Sequence, residues 1–378
     1  MNDARKRRQA KQARRDAQRL KTHEAPEETS GEPPEATTEG ALLLEEVRRA
    51  LATGHPLDLL GIASLMIEAT KPNPLAAYVK SRAERPTVRL DDLIAGFIGL
   101  PVPETTALLA VLAELLVDDE DLRLTCATEV AARDDSLPRW ILGLSHGDVY
   151  RAVRMTHVLG DGDELLIGAR LAGGHELTCV AHIDHLSSST IKDAFFVPDS
   201  LDRVVSVAEA TNTDPDTSFV DMSLADARAW IQYALDRPLF TRGSDSWPDC
   251  RTLVQWLIGH MPDGGQKYEP PWDEESTEEL CDQFFNSPAG APFDDYDHRE
   301  LLSELLATGD PLRWSETRMA EVFTRSFGEG ASLQAVLDVP ALLRAYVPFA
   351  HAQSGIRDEL TADALAVIDE MSPGHERT

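Results

Sequence analysis

The stretch DVYRAVRMTHVLGDGDELLIGARLAGGHELTCVAHIDHLSSSTIKDAFFVPD, residues 148–199, decides the fold class. Val149 to Val158 is rich in β-forming residues, and Gly160-Asp161-Gly162-Asp163 supplies a turn before Glu164 to Leu171. Ala172-Gly173-Gly174-His175 turns the chain into Leu177 to Asp184, and Ser187-Ser188-Ser189 leads on to Asp193 to Val197. Links this short join antiparallel neighbours, because a parallel crossover needs a dozen or more residues. The segment therefore predicts a four-stranded β-meander.

On both sides the hydrophobic period changes to that of helices. Upstream, helical patterning runs through Ala41 to Thr53, Pro56 to Thr70, Leu90 to Leu100, Glu104 to Val117 and Asp119 to Arg133. Downstream, Ser223 caps a helix lined by Leu224, Ala227 and Ile231, and Asp273 to Asn286 has the acidic first turn that the helix dipole favours. Further helices are expected over His298 to Thr308, Glu316 to Phe327, Leu333 to Ala350 and Thr361 to Glu370. The expected fold is α+β, mainly α, with helical regions flanking a small antiparallel β-meander. Its expected regions are 1–40 (disordered basic tail and acidic Pro/Glu linker), 41–145 (helical), 146–200 (the meander) and 201–378 (helical).

Charge is distributed unevenly. The 378 residues carry a net −29, yet residues 1–22 alone carry +7, which leaves −36 for the rest. The basic side chains of that arm are Arg5, Lys6, Arg7, Arg8, Lys11, Arg14, Arg15, Arg19 and Lys21. A flexible cationic arm attracts nucleic acid or another polyanion by counterion release, while the acidic body repels phosphate. The arm's own acidic body is a competing partner. Four widely spaced cysteines, with no C-x-x-C pair and no secretory signal, predict reduced thiols in the cytoplasm. The apolar run Thr105 to Val117 is interrupted by Glu114, so no membrane insertion is expected.

Among chemistry-bearing clusters, Cys179, His182, Asp184, His185 and Asp193 are all metal-ligand types. Strand alternation separates them: His182 and Asp184 share one face, while Cys179 and His185 take the other. A turn centred on Ser188 and Ser189 would set Asp184 opposite Asp193, leaving His182, Asp184 and Asp193 as the candidate metal set. Asp294-Asp295-Tyr296-Asp297-His298 lacks the spacing of a calcium loop and reads as an acidic helix start. Ser145-His146-Gly147-Asp148 has triad residue types without a nucleophile elbow and reads as a turn before the first strand. No Walker A or G-x-G-x-x-G sequence is present, so no cofactor is expected.

The stretches LATGHPLDLLGIASLM, LIGARLAGGHELTCVAHIDH with KDAFFVPD, and GDPLRWS resemble those of a family of high-GC actinobacterial proteins without an assigned activity. The resemblance implies a bacterial cytosolic source and no mechanism. The sequence thus points first to a non-enzymatic interaction or regulatory protein. Its acidic body would contact protein, and its basic arm a polyanion. The rival reading is a metal-dependent hydrolase or nuclease using His182, Asp184 and Asp193, and a small-molecule-binding module is a third.

Overall fold

The structure, a computed structural model, describes residues 35–71, 89–237, 246–307, 309–325 and 332–375. The basic arm and most of the linker lie outside them. Helix α1 spans Glu35–Thr53, so the end of the expected linker is helical. Once the amphipathic 41–53 segment nucleates a helix, extending it back through Ala36 and Glu35 costs little. Residues Val47–Thr378 form one compact unit.

Helices α2 (Pro56–Thr70), α3 (Leu90–Ile98), α4 (Pro103–Leu115), α5 (Glu120–Ala131) and the short α6 (Arg139–Leu142) precede the sheet. The strands are β1 (Asp148–His157), β2 (Gly162–Leu171), β3 (His175–Asp184) and β4 (Thr190–Val197). They pair antiparallel in sequence, as the turn chemistry requires. After α7 (Leu201–Thr211), a strand missing from the sequence reading, β5 (Thr217–Met222), pairs antiparallel with β1, giving the order β4-β3-β2-β1-β5. The sheet therefore extends beyond the expected 146–200 region.

The sheet has a helix on each face. Val153, Leu166 and Val180 are buried with Leu201 and Val205 of α7. Gly168 permits that approach, since a Cβ there would come within 2.7 Å of both Leu201 and Tyr150. Helix α8 (Leu224–Leu235) covers the other face, and its Ser223 cap accepts the Asp226 N–H. Helix α9 (Arg251–Gly259) then packs on α2 and α4, where Thr252 donates to Glu68 (2.6 Å) and Ser64 to the Asp249 carbonyl (2.7 Å).

The remaining helices are α10 (Glu274–Phe285), α11 (Tyr296–Leu306), α12 (Glu316–Thr324), α13 (Leu333–Ser354) and α14 (Asp358–His375). They enclose a second core built on Phe284, Leu302, Trp314, Val339, Leu343 and Tyr346. Helix α13 is the one described helix long and apolar enough to cross a membrane by length and composition. Its Val339, Leu342, Leu343, Tyr346, Val347 and Ala350 are buried in this core.

Residues 309–315 (GDPLRWS) are anchored almost atom by atom. The Pro311 carbonyl accepts from both the Trp314 indole and the Tyr346 hydroxyl, each at 3.0 Å. The Leu312 carbonyl accepts from Ser354, and the Trp314 N–H donates to His351 Nε2 at 3.0 Å.

Candidate functional site

Polar chemistry concentrates at the end of the sheet where the β1–β2 and β3–β4 turns meet. The His185 N–H donates to the Asp161 carbonyl at 2.8 Å and ties the two turns together. Ser188 and Ser189 are the only described non-glycine residues at positive φ, at 60° and 56°. Such backbone is costly for a residue with a side chain, so neighbouring contacts must hold it. Ser189 is buried and its Oγ lies 3.0 Å from His185 Nδ1, while His185 Nε2 lies 2.8 Å from Asp163 Oδ2.

Burial opposes ionisation of Asp163, but the His185 hydrogen bond, assisted by Thr156 and Arg154, holds its pKa below the ordinary value. An ionised Asp163 takes the Nε2 proton as its hydrogen bond, so in neutral His185 the Ser189 hydroxyl donates to Nδ1. The order carboxylate, imidazole, hydroxyl is that of a nucleophile relay. Here it is closed off, because Tyr268 stacks on His185 with ring centroids 4.1 Å apart and Trp230 meets Tyr268 edge-on at 4.9 Å. The relay fixes a strained turn beneath an aromatic cover. Tyr268, half-buried, packs its ring against both His185 and Trp230.

The structure does not assemble the expected metal set. A bulge between His182 and Ile183 shifts the register, so Asp193 pairs with His182 and Asp184 pairs with Thr190. The expected Asp184–Asp193 pair is corrected: the turn is centred nearer Ser187, and the bulge takes up the offset. Asp184 is buried and fully engaged. One oxygen accepts the N–H groups of Leu186 and Ser187, and the other accepts Lys192 Nζ at 2.5 Å. Asp193 accepts from the Ser246 hydroxyl at 2.5 Å. His182 Nδ1 lies 3.9 Å from Glu164, and burial lowers its pKa against the pull of Glu164 and Asp184.

A different trio, His157, Asp214 and Asp216, brings its ligand atoms within 4.8 Å of one another. Long-range folding assembles it from β1 and the loop before β5, so no local pattern of residues marks it. The Leu159 N–H donates to His157 Nδ1, which leaves the proton of a neutral ring on Nε2, facing Asp214 at 3.3 Å. A metal would need that nitrogen deprotonated. Arg357 already occupies Asp216 at 2.6 Å, so the trio joins the loop before α14 to the sheet.

The other sequence candidates are structural as well. Asp295 caps α11, accepting the His298 N–H and contacting His298 Nδ1 at 2.7 Å. Ser145 and His146 sit in a single 3₁₀ turn before β1. All four cysteines are free; burial raises the thiols of Cys126 and Cys281 to about 11 and that of Cys250 to about 12, and raises Cys179 also. Thiolates are therefore scarce at neutral pH.

Comparison with known proteins adds no analogy to this geometry: no family model, curated protein or solved structure matches the chain.

Proposed function

We propose that this is a non-catalytic interaction or regulatory protein of the cytoplasm, whose acidic body contacts protein and whose basic arm contacts a polyanion. The observation that carries the reading is how the side chains with catalytic chemistry are used. Asp184 closes a turn, Asp163 and His185 lie under Tyr268, and the thiols are held protonated. A reacting group needs a free lone pair and a route for substrate. The charge division between arm and body supplies the binding half of the argument.

Metal analysis separates this proposal from the hydrolase reading through His182, Asp184 and Asp193. After chelation and gel filtration, the protein is expected to hold well under one metal per chain, with His182→Ala unchanged. Stoichiometric zinc or manganese lost in that variant would favour the hydrolase.

A further inference from the structure

We infer that β5 is a docking edge for a second copy of this chain, the two β5 strands pairing antiparallel about a twofold axis at Phe219. The sheet ends in β5 on one side and in β4 on the other. Its two edges differ. The chain leading into α9 lies along β4, where the Cys250 thiol donates to the Ala194 carbonyl at 3.0 Å and Ser246 donates to Asp193. Beyond β5, the backbone of residues 218–222 has no hydrogen bond among the described residues except its ladder to β1. An open edge is a template for another strand, and proteins that keep one unpaired place proline, lysine or a bulge there. β5 (TSFVDM) has none of these, and its one charge, Asp221, pairs with Arg151 at 2.8 Å.

The side chains of the edge call for a strand. Phe219 is half-buried against the Val153, Leu166 and Val180 cluster on the α7 face, and Val220 is 43% exposed on the α8 face beside Arg154. An extended segment covers an apolar residue on each face while bonding the backbone between them. β5 itself meets that description. A twofold axis normal to the sheet keeps each face on its own side, so residues paired across it must share a face. Centred on Phe219, the axis sets the two Phe219 side chains together, Ser218 opposite Val220 and Thr217 opposite Asp221, with no carboxylate facing another. The paired stretch is shorter than a standard interface needs, so the dimer is weak and reversible.

The test is sedimentation equilibrium of the full-length protein from about 1 to about 300 µM, a range that brackets a weak dimer. A monomer–dimer equilibrium is expected, and it should tighten as salt is raised, because the two acidic bodies repel. Ser218→Lys with Val220→Lys sets like charges opposite one another across the axis and should weaken the dimer about tenfold or more. Ser218→Lys with Val220→Glu sets opposite charges there and should restore it to within about threefold of the unmodified chain. Both positions are exposed, so an unchanged urea midpoint checks that each variant folds. Leu142→Lys, at an exposed leucine of α6, should change the dimer by less than about twofold. A monomer throughout the range would overturn the inference, as would a dimer indifferent to the lysine pair or one that the glutamate variant fails to restore. Association that weakens with salt would place the basic arm of one copy on the body of another, and would overturn it too.

Discussion

Arg318→Ala should lower the unfolding free energy by about 3–5 kcal/mol, read as a fall in the urea midpoint with an unchanged slope. Arg318 lies at the start of α12, is 2% exposed and packs its guanidinium 3.9 Å from the centroid of Trp314. Its two terminal nitrogens donate to the carbonyls of Asp310, Arg313 and Leu305. Leu305 is next to the last residue of α11, where helix carbonyls lack partners and a cation meets the negative end of the dipole. Alanine would leave these carbonyls unpaired and open a cavity beside Trp314. Burial lowers the Arg318 pKa to about 10, which leaves it charged at neutral pH, with Asp310 and Asp161 opposing the shift. Lysine should recover less than half of the loss, because one ammonium cannot span carbonyls arranged for a planar fork.

The second large effect is a pair of opposed titrations. His351 is buried, accepts the Trp314 N–H at Nε2 and contacts Thr361 through Nδ1 at 2.8 Å. Burial lowers its pKa to about 4 from 6.5. Protonation favours the unfolded chain, so its contribution is complete above pH 6.5 and is lost as pH falls towards 4, by about 3 kcal/mol. Asp161 runs the other way. Burial raises it to about 6 from 3.8, against the effects of Ser315 and Arg318. Its contribution is complete below pH 3.8 and is lost as pH rises through 6, also by about 3 kcal/mol. Relative to the unmodified protein, Asp161→Asn should therefore lose about 3 kcal/mol more stability between pH 6.5 and 4. His351→Gln should deviate in the opposite direction. Denaturant titrations at half-unit pH steps check both, and parallel profiles for all three proteins would contradict the assignment.

The strands of the meander were legible because their pattern is local. Glycine turns separate runs of β-formers, and side-chain alternation assigns Cys179 and His185 to one face and His182 to the other. Helix starts were legible where a side chain caps its own helix, as Ser223 and Asp273 do. The missed features depend on distant chain. Strand β5 is six residues long, and its pairing is decided by β1, some sixty residues upstream in the sequence. The bulge at Lys192 has no composition signal, yet together with a turn centred at Ser187 it sets Asp193 opposite His182 instead of Asp184. Helix α13 continues past Ala350 to Ser354 with Pro340 and Pro348 inside it, because its buried apolar face outweighs two proline interruptions.

The candidate site was half legible for the same reason. His185 and Asp184 stood out by residue type, but type does not reveal whether a lone pair is free. Asp163, Lys192 and Tyr268 consume the chemistry here, and they reach the turn from another strand, across a bulge and from a loop some eighty residues away. The His157 trio needs Arg357, which is farther still in sequence.

The claim of an interaction protein with a polyanion-binding arm is tested most directly by titrating duplex DNA and RNA across a salt series. The full-length chain, a chain beginning at Ala41 and the isolated arm of residues 1–22 are compared. If about six phosphates are neutralised, log affinity for duplex DNA should fall with log salt at a slope near −5 for the full-length chain. The shortened chain should not bind. Equal binding by the full-length and shortened chains, or binding insensitive to salt, would contradict the account.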